Sequence, residues 1–146
     1  MEVTFRSFSA NDVDACLALF DMNCPEYFAP NERVDYAKFL HSTPRDYEVC
    51  LVADGIVGAF GLVQNEPGQS SIDWILLSSN MQGTGIGTII MNRVIGQARD
   101  NDVKIIHIAT SHKAHQFFAK FGATIVSETK DGWGEGMHKI DMELRI

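Results

Sequence analysis

From Leu77 to Ile90 an apolar run passes through Ser78-Ser79-Asn80-Met81 into Gln82-Gly83-Thr84-Gly85-Ile86-Gly87-Thr88, and from there directly into a helical pattern. Glycines at alternate positions strip side chains from a turn. Successive backbone N–H groups can then converge on the oxygens of an anion, and the helix that follows adds its positive N-terminal end. The bland alternative is a tight strand-to-helix connection that binds nothing. A nucleotide-hydrolysing phosphate loop would need a lysine followed by Ser or Thr at the end of the turn, and this turn has none. A dinucleotide fingerprint would need G-x-G-x-x-G in the first unit of a parallel sheet, and the spacing here is different.

Other residues with chemical potential lie on either side of this turn. Asp73 sits in the β-rich run Ser71–Leu77, where strict alternation places it on one face with Ile75 and Leu77. A carboxylate there could take a proton from an amine; it could equally face solvent, and a bulge in the strand would reverse its direction. Glu26 shares a two-proline loop with Tyr27 and Phe28, and Trp133, Glu135 and His138 cluster near the C-terminus. Glu26 and Glu135 could attract an ammonium, Tyr27 or Trp133 could offer it an aromatic face, and His138 reads as a base or an edge residue. No spacing of His, Cys and carboxylates suggests a metal.

These groups must be held by one globular domain spanning residues 1–146, with 45% hydrophobic and 21% charged residues. The 12 Lys and Arg against 19 Asp and Glu leave a net charge of -7, which disfavours binding to a nucleic-acid backbone or an anionic membrane. Cys16, Cys24 and Cys50 lack C-x-x-C spacing and read as free thiols, so a cytoplasmic setting is expected. No apolar run approaches the ~20 residues that span a bilayer.

The periodicities predict a strand through Val3 and Phe5 and an N-cap at Ser9 with an acid three positions on. Two amphipathic helices follow, one through Val13, Cys16, Leu17 and Phe20, the other from Glu32 to about His41 through Val34, Phe39 and Leu40. Strands at 47–53 and 56–64 flank the hairpin signal Asp54-Gly55, and a third at 71–77 leads into the glycine turn. A long helix from Ile86, a strand at 103–109, a short helix at 111–121 and strands at 124–128 and 137–145 complete the chain. The order β-α-α-β-β-β-α-β-α-β-β implies a mixed, mostly antiparallel α+β sheet with one parallel β-α-β unit, flanked by helices.

With that order, Gln82-Gly83-Thr84-Gly85-Ile86-Gly87 resembles the Q/R-x-x-G-x-G/A pyrophosphate loop of the GNAT superfamily of N-acetyltransferases, and Ala114-His115-Gln116-Phe117-Phe118-Ala119-Lys120-Phe121-Gly122 looks like the start of that family's last helix. The resemblance covers essentially the whole chain. It implies acetyl-CoA as co-substrate and no metal, with parallel strands that splay to admit pantetheine and direct transfer to the primary amine of a small molecule or peptide. A homodimer is plausible for such a fold. Gln82, Gly83, Thr84, Gly85, Ile86, Gly87 and Thr88 would hold the pyrophosphate, the backbones of Ile75 and Leu77 the pantetheine and thioester, with Ser111 and Phe118 also lining the cofactor. Asp73, Glu26 and His138 are the candidates for acceptor chemistry. Phe118 departs from the family, which often places a tyrosine there to protonate the leaving thiolate. That departure keeps open a non-catalytic acyl-CoA-sensing module.

Overall fold

The computed structural model describes all 146 residues. Its elements are β1 (Val3–Ser7), α1 (Val13–Asn23), α2 (Glu32–His41), β2 (Tyr47–Val52), β3 (Gly55–Glu66), β4 (Gln69–Leu77), α3 (Ile86–Asp100), β5 (Ile105–Ser111), α4 (His115–Ala119), β6 (Thr124–Gly134) and β7 (Met137–Arg145). One seven-stranded sheet runs β1-β2-β3-β4-β5-β7-β6. Every neighbouring pair is antiparallel except β4 and β5, so the expected α+β architecture with a single parallel crossover is the one found.

Each face of the sheet carries its own core. Against one face, α1 and α2 bury Cys16, Leu19, Phe20, Tyr36 and Leu40 on Val49, Ala59 and Leu76. Against the other, α3 and α4 bury Ile86, Ile90, Val94 and Phe118 on Phe60, Ile106 and Ile108. In α2 the predicted apolar stripe is displaced: Val34 is 57% exposed, and Tyr36 turns inward instead. The Tyr36 hydroxyl lies 2.8 Å from that of Tyr47, which in turn donates to the carbonyl oxygen of Trp74. A shared polar chain therefore outweighs simple hydrophobicity in setting which face is buried.

The local signals at the ends of elements operate as expected. The Ser9 N–H donates to the Asp12 carboxylate at 2.8 Å, closing the cap before α1, and Arg6 clamps the same carboxylate with two hydrogen bonds. The β2–β3 hairpin exists, but its two turn residues are Ala53 and Asp54, with φ of 50° and 65°, while Gly55 already pairs with Val52. Both turn positions need positive φ in this tight hairpin class, and Asp accepts that region readily.

Two irregularities in β4 shape everything functional. Asp73 pairs with Gly61 and Leu76 with Ala59, so β4 spends three steps where β3 spends two. The extra residue is a bulge at Trp74, whose φ is 37°. On the other edge, β4 pairs with β5 only at Gln69–Ile105, Ser70–Ile106 and Ser71–His107. Beyond Ser71 the two parallel strands part.

Candidate active site

The parting of β4 and β5 opens a cavity of about 740 Å³. Its walls include the unpaired rims Ile72–Leu77 and Ile108–Ser111, the glycine turn, the start of α4 and the loop between α1 and α2. Parallel strands separate here because a bulged strand twists away from its neighbour, and the polar backbone so exposed needs other partners. Some are internal. Asn23, at the end of α1, donates through Nδ2 to the Leu77 carbonyl at 2.9 Å and to Leu19 at 2.8 Å. The Ser78 N–H turns to Val57 on β3 at 2.7 Å, so alternation aims the Leu77 N–H at the open side.

At the C-terminal end of β4 the glycine turn presents an anion cradle. The N–H groups of Gln82, Gly83, Gly85, Ile86, Gly87 and Thr88 have no acceptor within the chain, whereas that of Thr84 bonds to Met81 at 3.3 Å. Gly83 and Gly85 have φ of 79° and 87°, and nothing lies within 4 Å of where a Cβ would stand. Only glycine combines that backbone with open space for an approaching oxyanion.

The side chains of this segment divide between cavity and core. Gln82 and Thr88 line the cavity. The Thr84 hydroxyl is engaged by the Met81 carbonyl, and the Ile86 side chain is fully buried core, so that residue offers only its backbone. Gly87 serves packing as well as access: a Cβ there would meet the Phe117 ring at 3.0 Å, so its absence lets α4 close onto α3.

Asp73 borders the cavity, but not from the expected side. The bulge at Trp74 breaks the alternation, so Asp73 shares a face with Leu76 and the α1–α2 core, opposite Ile75 and Leu77. Burial, and next the neighbouring Asp46 carboxylate, raise the Asp73 carboxyl above the usual carboxylate value. A carboxyl raised in this way is, once ionised, a stronger base than that of an exposed aspartate.

Glu26 and His138 stand outside the cavity lining itself. The chain after α1 curls back, with the N–H groups of Tyr27 and Phe28 donating to the Asn23 carbonyl. That turns Tyr27 and Phe28 inward and leaves Glu26 exposed at the rim, where burial and next the Glu26 carboxylate raise the phenol of Tyr27. The His138 ring packs at a tilt against His112, 4.5 Å between centroids, and its Nδ1 accepts the Asp131 N–H at 3.0 Å. Its lone pair is engaged in holding the β6–β7 hairpin, away from the cavity.

The wall on that side carries a carboxylate the sequence reading passed over. Glu32, at the first turn of α2, is 4% exposed and accepts the Ala29 N–H at 2.7 Å through one oxygen. Burial pushes its carboxyl up to about 7. Tyr27, Phe28, Trp74 and Trp133 supply aromatic surface around the same space. Across the mouth, the Trp133 carbonyl accepts from Asn31 Nδ2 at 2.8 Å, and a Cβ on Gly134 would collide with Ala29 at 2.8 Å. The β6–β7 hairpin therefore rests on the α1–α2 loop and roofs this end of the cleft.

Near α4, Phe118 and Ser111 both line the cavity. Phe118 presents no donor, and the Ser111 hydroxyl has no hydrogen-bond partner. The donor set fits an acyl-CoA: free N–H groups at an open turn for a pyrophosphate, and an unpaired strand rim for an amide-bearing arm.

Known proteins share this fold. Ard1 from Thermoplasma volcanium superposes with a TM-score of 0.83 at 16% identity, covering 100% of this chain and 99% of that one. The ribosomal-protein-S18-alanine N-acetyltransferase of Escherichia coli gives 0.80 at 12% identity over 99% and 94%. Rv2747 from Mycobacterium tuberculosis, solved in complex with CoA and NLQ, gives 0.74 at 20% identity over 98% and 99%. At these identities the likeness is one of fold, and no curated protein matches the chain significantly in sequence. Residues 16–123, however, match the acetyltransferase (GNAT) family, a stretch running from α1 to the residue after the Gly122 stop and containing both the glycine turn and the split in the sheet. The chain belongs to the acetyltransferase (GNAT) family.

Proposed function

We propose that the protein transfers an acetyl group from acetyl-CoA directly to a primary amine of a small molecule or a peptide. The observation that carries this reading is the parting of β4 and β5 beyond Ser71 and His107, directly below six unpartnered N–H groups of the glycine turn. The turn would hold the pyrophosphate and the β4 rim the pantetheine arm, with the Leu77 N–H among the dipoles facing the thioester.

An ammonium has no lone pair with which to attack, so the acceptor must lose a proton before or during transfer. Asp73 is the proposed proton acceptor, placed by the bulge on the side that Glu32 and the aromatic residues also face. The amine nitrogen bonds to the acetyl carbon, the carbon–sulfur bond breaks, and the electron pair leaves on sulfur. Cys16 and Cys50 are buried with thiols pushed up to about 11, and burial followed by Asp21 and Glu32 raises the half-buried Cys24 thiol as well, which supports direct transfer over a cysteine-bound acyl intermediate.

Phe118 favours a second reading, in which the domain binds acyl-CoA without transferring it. Release of free thiol from acetyl-CoA across a panel of amines, amino acids and peptides separates the two. The transfer reading expects release that depends on at least one acceptor; binding of acetyl-CoA with no such release contradicts it and favours the sensor.

A further inference from the structure

Glu32 stands in the first turn of α2, where a carboxylate ordinarily faces water, yet only 4% of the residue is exposed. Its Oε2 accepts the Ala29 N–H at 2.7 Å while its own N–H donates to the Ala29 carbonyl at 2.9 Å, and this reciprocal pair folds the side chain onto the cavity wall. Oε1 accepts no hydrogen bond from the chain. Nor is it sealed off, since the Ser111 hydroxyl is the one occluded side-chain polar atom without a partner. The free oxygen of Glu32 therefore opens onto the cavity that the residue lines.

A carboxylate in such a place needs a cation or a proton, because burying an unpaired charge is costly. The chain supplies no cation. Glu32 enters no salt bridge, and its titratable neighbours are Asp35 on the same helix and the Cys24 thiol in the preceding loop. The two lysines on the cavity wall, Lys113 and Lys120, flank α4 instead. Asp73 is shifted by Asp46 and Glu32 by Asp35, neither by the other, so the two carboxyls are separate anionic ends of one space. The surface that joins them is aromatic. Phe28, next to the Ala29 that holds Glu32, stacks on Trp74, next to Asp73, with 6.2 Å between ring centroids. An alkyl chain matches that surface, whereas a peptide backbone would set its N–H and C=O groups against it unpaired.

We propose that the acceptor is an aliphatic diamine or polyamine, its second ammonium bound by Glu32 Oε1 while the amine to be acetylated meets Asp73. This rests on the acyl-transfer reading above and gives Glu32 the choice of acceptor, not a part in the chemistry. The alkyl stem lies along Phe28 and Trp74, and the net charge of -7 draws a polycation toward the cleft. Burial pushes the Glu32 carboxyl up to about 7, so an arriving ammonium expels its proton to solvent. Cation and proton compete for the same group.

The test measures kcat/KM for alkane diamines of graded length, each against the monoamine and the amino alcohol of the same chain length. At about pH 8 the best diamine should exceed both by at least ~10-fold, and that ratio should fall toward one at about pH 6 as Glu32 becomes protonated. In Glu32→Gln, which still offers an oxygen to the Ala29 N–H, the ratio should stay below ~3 at either pH. A monoamine or amino alcohol used as efficiently as every diamine would overturn the Glu32 site and leave acetyl transfer standing. So would a diamine preference unchanged in Glu32→Gln. Absence of acceptor-dependent thiol release with every amine would overturn both readings.

Discussion

The indole N–H of Trp133 donates to the carbonyl oxygen of Thr110 at 2.7 Å, tying the β6–β7 hairpin to the splayed end of β5. Asn31 secures the same tryptophan from the other side by donating to its carbonyl. The two bonds bridge the cleft mouth, and on the proposed reading the acceptor amine enters beneath Trp133. Replacing Trp133 with Phe keeps the ring and removes the donor. The acceptor KM should rise about 5- to 10-fold with little change in the KM for acetyl-CoA, since the loss of one such bond is worth about 1 kcal/mol. Equal effects on both substrates would show that the bridge supports the whole cleft and not its acceptor end.

The raised Asp73 carboxyl predicts a pH dependence. A base must be ionised to work, so kcat/KM should fall as pH drops through its titration, at a pH above that of an ordinary carboxylate. Asp73→Asn should cost kcat about 100-fold and flatten that acid limb, while acetyl-CoA affinity is retained. Near-normal turnover would remove Asp73 from the chemistry.

Glu32 makes a prediction about stability. Its carboxyl titrates near 7 in the folded chain against an ordinary value of 4.5. Folding therefore favours the protonated form. Its contribution is fully present below pH 4.5, declines as pH rises, and is gone once pH has passed 7, a loss of up to about 3 kcal/mol. Glu32→Gln can still accept the Ala29 N–H, so its denaturant midpoint should exceed wild type at pH 8 and approach it at pH 5. A pH-independent difference between the two proteins would contradict the buried-carboxyl assignment.

The glycines of the turn should separate by role. Gly87→Ala pushes a methyl to 3.0 Å from Phe117 and should destabilise the fold by about 1–3 kcal/mol, measured by denaturant unfolding. Gly85→Val forces a β-branched residue to φ of 87° and fills the cradle, so its main effect should fall on CoA affinity.

What could be seen in the sequence was what local chemistry dictates. The turn at Gln82–Gly87 announces itself because positive φ in an open turn is a glycine property, and the order of elements along the chain follows from periodicity. The bulge does not announce itself. A bulky residue such as Trp74 carries no local preference for φ of 37°, and its carbonyl is held by the hydroxyl of Tyr47, two strands away in the same sheet. That bulge, in turn, reverses the predicted facing of Asp73. Glu26 was chosen for its charge in a loop, yet the Asn23 carbonyl decides which way that loop curls. Glu32 looked like an ordinary acidic first-turn residue; the closure of the hairpin over Asn31 and Ala29 belongs to tertiary structure alone. The missing partner of Ser111 likewise depends on elements distant in sequence.

The central claim is that the split sheet and the glycine turn together hold an acyl-CoA. Isothermal titration calorimetry of acetyl-CoA and ATP against wild type and Gly85→Val tests it directly. The account predicts saturable binding of acetyl-CoA to wild type, weaker binding of ATP, and at least ~10-fold weaker acetyl-CoA binding to a folded Gly85→Val. Tighter binding of ATP than of acetyl-CoA, or unchanged acetyl-CoA affinity in the variant, would contradict it.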